Sequence, residues 1–142
     1  MPTIDFTIYG DPKPKKRHRS RVIKSKFGKS YAMTYPDPGG VSEENYIKLA
    51  ASQNFKESII TGAVELKLGF CFSVPKSYSK KKTDEALNGF LKHTKKPDLD
   101  NLIKAVKDAL NGIVWHDDSQ VFLVTAEKIY VERPRTYIEI IY

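Results

Sequence analysis

The sequence predicts a single α+β domain in which a mixed β-sheet carries two main helices. Three observations lead there. Four segments, at residues 3–9, 64–74, 120–131 and 136–142, alternate apolar residues or concentrate β-branched and aromatic ones, as strands do. Asp100 to Leu110 repeats its apolar residues at helical spacing, and a weaker helical pattern follows Ser42. The chain has 142 residues and no internal repeat, which suits one domain around one modest core. Strand order is not written in these patterns.

In chain order, Ile4, Phe6 and Ile8 alternate with polar neighbours, giving a strand with one buried face that Gly10-Asp11-Pro12 ends. Residues 13–35 read as a basic hairpin or arm turning at Phe27-Gly28-Lys29. No acidic residue lies between Asp11 and Asp37, while Lys13, Lys15, Lys16, Arg17, Arg19, Arg21, Lys24, Lys26 and Lys29 accumulate there, followed by Tyr31 and Tyr35. Tyr35-Pro36-Asp37-Pro38-Gly39-Gly40 is a turn-rich connector. Ser42 is expected to cap a helix with Glu43 and Glu44 in its first turn. Tyr46, Leu49, Ala50, Gln53 and Phe55 would mark the helix's apolar side.

Val64, Leu66, Leu68, Phe70 and Phe72 alternate along a long strand. Residues 76–96 then form a long basic loop with one helical turn at Thr83 to Leu87. The next helix begins near Asp100, with Leu102, Ala105, Val106, Ala109 and Leu110 on its apolar face, and Asn111-Gly112 stops it. Ile113-Val114-Trp115 reads as a short strand delivering Asp117 and Asp118. The last two strands, turned by Glu132-Arg133-Pro134-Arg135, should pair as an antiparallel hairpin.

Composition narrows the function. Hydrophobic residues at 40% and charged residues at 29% describe an ordinary water-exposed domain. No apolar run approaches the roughly 20 residues that span a bilayer. MPTIDFTIYG lacks a signal peptide's basic start and long apolar stretch, and the single Cys71 sits among Phe70, Phe72 and Val74 as a buried, inert thiol, so a cytoplasmic location is expected. Twenty-four basic against 17 acidic residues leave a formal charge of +7, which favours a polyanionic partner. Basic groups interleaved with aromatics suit contact with a nucleic-acid backbone and its bases, and the competing account is a solvated loop. No Gly-rich phosphate loop or Cys/His zinc spacing is present, and no small-molecule cofactor is expected.

The densest chemistry lies in Lys96-Pro97-Asp98-Leu99-Asp100-Asn101-Leu102-Ile103-Lys104 and in Trp115-His116-Asp117-Asp118-Ser119-Gln120-Val121. Hard divalent cations such as Mg²⁺ bind compact groups of carboxylate oxygens. Asp98 and Asp100, two apart at a helix start, with an Asp arriving after the helix, offer such a group. The plainer account of Asp98 is a helix cap. Asp108 lies two turns beyond Asp100, roughly 12 Å along the axis, too far to share one ion, and pairs better with Lys104.

These blocks, with Asp108-Ala109-Leu110 between them, resemble the signature of the RusA family of Holliday-junction resolvases, and the early order of strand, G-x-P-x-P-K and basic hairpin is similar as well. The resemblance implies a Mg²⁺-dependent endodeoxyribonuclease, with Mn²⁺ able to substitute, that binds four-way branched DNA as a homodimer, in a family often carried by prophages. It implies that Asp98, Asp100 and Asp118 hold the metal and that Lys104 is the essential lysine; the neighbouring Asp117 could cap, bind through water or raise the local field. Lys13, Lys15, Lys16, Arg17, Arg19, Arg21, Lys76, Lys80, Lys81, Lys82 and Lys96 are the expected DNA-binding residues. Where some relatives have a basic residue before the first Asp, this chain has Pro97. Two further readings compete: a non-catalytic binder of branched or single-stranded DNA, and a less specific flap or branch nuclease. Clustered carboxylates would hinder a pure phosphate binder, which favours the enzyme.

Overall fold

The computed structural model describes the chain apart from residues 15–18, 25–29 and 36–37, and gives only the backbone of the other residues from 19 to 43. Its elements are β1 (Thr3–Tyr9), β2 (Arg19–Lys24), β3 (Ser30–Tyr35), α1 (Pro38–Asn54), β4 (Val64–Ser73), α2 (Lys80–Leu87), α3 (Leu99–Leu110), β5 (Val121–Val131) and β6 (Arg135–Ile141). The strands β1, β6, β4 and β5 form one sheet in that order, and β2 and β3 pair separately. β6 runs antiparallel to both β1 and β4, while β5 lies parallel to β4 at the sheet edge, so the sheet is mixed.

Two-residue alternation decides which face is covered. Val64, Leu66, Leu68, Phe70 and Phe72 of β4 are all buried, as are Ile138 and Ile140 of β6 and Phe6 of β1. They pack with Ile47, Ala51, Leu102, Val106, Ala109 and Leu110 from α1 and α3, giving a helix layer on one sheet face. The other face carries polar partners: Lys67 lies 4.0 Å from Glu139, and the Tyr137 hydroxyl donates to Asp5 across 3.2 Å. Cys71 is buried, and that burial raises its thiol's pKa, as expected of an inert cysteine.

Several expectations need correction. β5 and β6 are not a hairpin, because β4 lies between them. Glu132, Arg133 and Pro134 step across the end of β4, a gap of about 9.5 Å that a short extended segment spans. The turn chemistry reversed the chain without making the strands neighbours. α1 begins at Pro38, four residues before Ser42, with Pro at the first helical position, where its missing N–H is harmless. Among its described side chains Ile47 and Ala51 are buried and Ala50 is partly so, with Phe55 buried just past its end, whereas Tyr46 and Leu49 are exposed, so the packed face only partly matches the expected one. The basic loop is not structureless: α2 occupies its middle, capped by the Ser79 side chain accepting the Lys82 N–H at 3.2 Å. The backbone of 19–24 and 30–35 pairs as the hairpin foreseen, while its tip at Phe27-Gly28-Lys29 falls outside the described residues.

Candidate active site

α3 forms because its apolar residues fall on one stripe. Leu102, Ala105, Val106, Ala109 and Leu110 are all buried, as the spacing predicts. That stripe fixes the helix's rotation and turns its remaining positions outward. Asp98 is the residue before the first turn and Asp100 lies within it, so both carboxylates stand where the helix dipole is positive. Asp98 makes no side-chain cap bond, although its carbonyl accepts the Leu102 N–H at 3.2 Å. Among the described residues neither carboxylate has a protein hydrogen-bond or ion-pair partner, and both residues are exposed. The expected cap account of Asp98 is therefore half met, by its backbone alone.

Lys104 follows one turn after Asp100, and its Nζ extends the other way, to Asp108 Oδ2 at 3.6 Å. This is the i,i+4 pair expected from spacing. With 62% of its side chain exposed, Lys104 is held weakly and can reach a phosphate.

The chain does not return along α3 to Asp98. Gly112, at φ +80°, lets the backbone turn, and its N–H donates to the Trp115 carbonyl at 2.7 Å. Ile113-Val114-Trp115 is thus a turn with two isolated bridges, not the strand expected. Trp115 is fully buried, and its Nε1 donates to Asn111 Oδ1 at 2.6 Å, pinning this turn beneath the helix end. Asp118 opens a short 3₁₀ turn. Asp117 caps it, accepting the Ser119 N–H at 3.3 Å, and the Ser119 bonds hold its carboxyl below the usual range. Gln120 accepts the His116 and Asp117 N–H groups and donates to the carbonyls of Ile60 and Gly62.

Asp118 therefore stays at the C-terminal end of α3, with Asp98 and Asp100 at the other. α3 is twelve residues, roughly 18 Å, long, with Asp98 just before it and Asp100 its second residue. Among the described residues no group of three acidic, histidine or cysteine side chains stands ready to hold a metal ion. The structure brings Asp98 and Asp100 to one end and Asp118 to the other. Asp117 is a structural cap, and His116 is exposed, holding Gln120 through its backbone alone.

The basic residues divide by region. Lys76, Lys80, Lys81, Lys82 and Lys96 are exposed on the segment that leads to Asp98, and Lys13 is exposed after β1. Arg19 and Arg21 occupy β2 opposite Tyr35 and Met33, while Lys15, Lys16 and Arg17 fall outside the described residues. Three lysines in the first turn of α2 oppose its dipole, each by about 0.3–1 kcal/mol.

Sequence patterns gave no sign of the group that fixes the lead into Asp98. Lys128 of β5 donates to the carbonyls of Lys95 at 2.7 Å and Pro97 at 3.0 Å, fastening the residues before Asp98 to the sheet edge. Beside it, His93 stacks on Phe72 with centroids 4.1 Å apart and lies 4.9 Å from Tyr130. Burial, then the Lys128 charge, holds the His93 pKa below its ordinary value. Tyr78 lies under Lys82 at 4.0 Å, and its bond with Tyr130, then Lys95, draws its pKa down. Burial chiefly, then Tyr78, pushes Tyr130 up to about 12.

Two comparisons bear on this arrangement. Residues 10–141 match the family model for endodeoxyribonuclease RusA. The chain is also 40% identical over 143 residues to an uncharacterized protein, YqaN, of Bacillus subtilis (strain 168), covering 99% of this chain and 96% of that protein. With the match spanning every element after β1, the chain belongs to the RusA endodeoxyribonuclease family.

Proposed function

We propose that this protein is a divalent-metal-dependent endodeoxyribonuclease that resolves four-way DNA junctions by paired nicks, working as a two-fold dimer. One observation carries the arrangement. Asp98 and Asp100 stand exposed, without protein partners, at one end of a helix whose other end holds Asp118. In a two-fold dimer with α3 of each protomer alongside the other in opposite directions, Asp118 of one chain meets Asp98 and Asp100 of its partner, twice.

The donor set fits a hard cation: carboxylate oxygens with no competing lysine or arginine bond among the described residues. Asp98, Asp100 and the second protomer's copy of Asp118 would hold Mg²⁺, or Mn²⁺ in its place. When bound, such an ion supplies an activated water and neutralises charge at the attacked phosphate. The chain's own groups do the rest. Lys104 leaves Asp108 to meet the phosphate and stabilise its developing negative charge. Lys76, Lys80, Lys81, Lys82 and Lys96 hold the DNA backbone beside Asp98, with Lys13 and the β2–β3 hairpin gripping a further arm. The reaction suits the cytoplasm, and among the described residues no helix is long and apolar enough to cross a membrane.

Mixing two inactive variants tests both the chemistry and the shared site. Asp100→Asn and Asp118→Asn should each fail to cut a synthetic four-way junction in Mg²⁺ while still binding it. Mixed and allowed to exchange subunits, they form heterodimers with one complete site and should nick one strand. If the mixture stays inactive while each variant binds DNA, the shared site is wrong. If the unaltered chain binds junctions but never cuts them with any divalent cation, the protein is a branched-DNA binder. Equal cutting of flaps and junctions would make it a general branch nuclease.

A further inference from the structure

We infer that Phe90, at the turn ending α2, inserts at the branch point and stacks on an unpaired base, a role that rests on the junction-nuclease reading. The turn is built firmly. The Asn88 N–H donates to the Asp84 carbonyl at 3.0 Å and the Gly89 N–H to Ala86 at 3.3 Å. The N–H groups of Phe90 and Leu91 both donate to the Glu85 carbonyl, at 2.9 and 3.1 Å. Gly89 supplies the positive φ, +83°, that the reversal requires. Ala86 is buried and Leu91 packs against the core, so the turn is anchored on both sides.

Upon this base the Phe90 ring is 83% exposed. It had somewhere to go. A cavity of about 210 Å³ lies at the foot of the turn, lined by Gly89, Leu91, Lys92, Lys128 and Tyr130 among others. Phe90's neighbours on either side line that space, and Phe90 does not. A large apolar ring held outward by a hydrogen-bonded turn is poised for an apolar partner. The surroundings select which partner. Lys92 is exposed beside it, Lys80, Lys81 and Lys82 stand on the same helix, and Lys95 and Lys96 follow. An aromatic side chain exposed on a segment whose lysines outnumber its acidic residues, Asp84 and Glu85, fits a nucleobase beside its phosphates. Lys128 lines the cavity and also fixes the carbonyls before Asp98, so the turn and the candidate active site share one support. Continuous duplex admits such a ring only by unstacking a base step, whereas the centre of a junction already interrupts the stack.

The experiment uses full-length protein and a four-way junction carrying 2-aminopurine at the branch point, with a linear duplex of the same sequence. The unaltered chain should raise 2-aminopurine emission on binding. Phe90→Ala should lose that rise and bind the junction roughly tenfold more weakly, with duplex affinity unchanged and Phe90→Trp restoring both. Equal emission and affinity in Phe90→Ala overturns the inference, as does an equal loss on junction and duplex. Dissociation of a dimer by Phe90→Ala also overturns it, since the ring would then seat on a second copy. If the unaltered chain shows no preference for the junction, the four-way-junction reading falls and this role falls with it.

Discussion

Replacing Lys128 by Met should raise the divalent-cation concentration that cleavage requires. The ammonium makes two hydrogen bonds, to Lys95 and Pro97 carbonyls, and these hold the backbone directly before Asp98. A hydrogen bond from a charged donor contributes about 1.5–3 kcal/mol net. The bond to Lys95 is exposed and water can replace most of it, while the bond to Pro97 is partly buried. A loss of about 2 kcal/mol in local ordering is therefore expected, or roughly 30-fold in an equilibrium. Met keeps the stem against β5, so global stability should barely change. The released segment must then be ordered by the cation and the DNA. Half-saturating Mg²⁺ should rise roughly 30-fold, with the rate largely recovered at saturation, and Lys128→Arg should fall between. Cleavage of a labelled junction across a Mg²⁺ series measures it. Unchanged half-saturation in Lys128→Met would show that Asp98 needs no support from β5.

Trp115→Ala should reduce unfolding free energy by about 3–5 kcal/mol in urea, because a fully buried ring and its bond to Asn111 are lost together. Replacing Lys80, Lys81 and Lys82 by Gln should flatten the salt dependence of DNA binding by roughly 0.9 in slope per lost phosphate contact. The same change should raise helix stability by about 0.3–1 kcal/mol per position, since those charges oppose the α2 dipole. His93 gives a pH dependence of defined sign. Its folded pKa lies below the unfolded value near 6.5, so below that pH the unfolded chain binds the proton first. Stability should fall as pH drops from about 6.5 toward the depressed folded value, and His93→Phe should remove that slope.

What the sequence revealed was local. The face of α3 and the alternation of β4 come from periodicities that each residue shares with near neighbours, and both appear as read. The pairing of β6 with β4, and β5's place at the edge, depend on pairs 57 to 76 residues apart, about which a turn signal says nothing. α2 is longer than the single turn expected at Thr83 to Leu87, although its signals are local: Ser79 caps it, and Asn88-Gly89 closes it. Those caps are single residues set in a Lys-rich segment whose composition resembles a solvated loop. Lys128, His93 and Phe90 carry no signature at all. A strand lysine, a lone histidine and a Phe beside a Gly acquire meaning only from what lies near them in space.

The separation of the carboxylates was nonetheless within reach of arithmetic. Helical rise alone excludes Asp108 from a site at Asp100, at roughly 12 Å, and the same rise places the end of α3 farther still. Asp118 could rejoin Asp98 only if the residues after α3 climbed back along it. An extended return of that length needs about six residues free to run, and Ile113-Val114-Trp115 suggested its beginning. Gly112 turns the chain instead, Trp115 is buried below the helix end, and Gln120 fastens the following turn to Ile60 and Gly62. Each of those bonds keeps Asp118 away from Asp98 in its own chain. They would be a poor design for a nuclease that works alone. In the proposed dimer they would hold Asp118 where a second protomer could use it, so a lone chain should fail to nick DNA, and cutting by a chain shown to stay monomeric would refute the shared site.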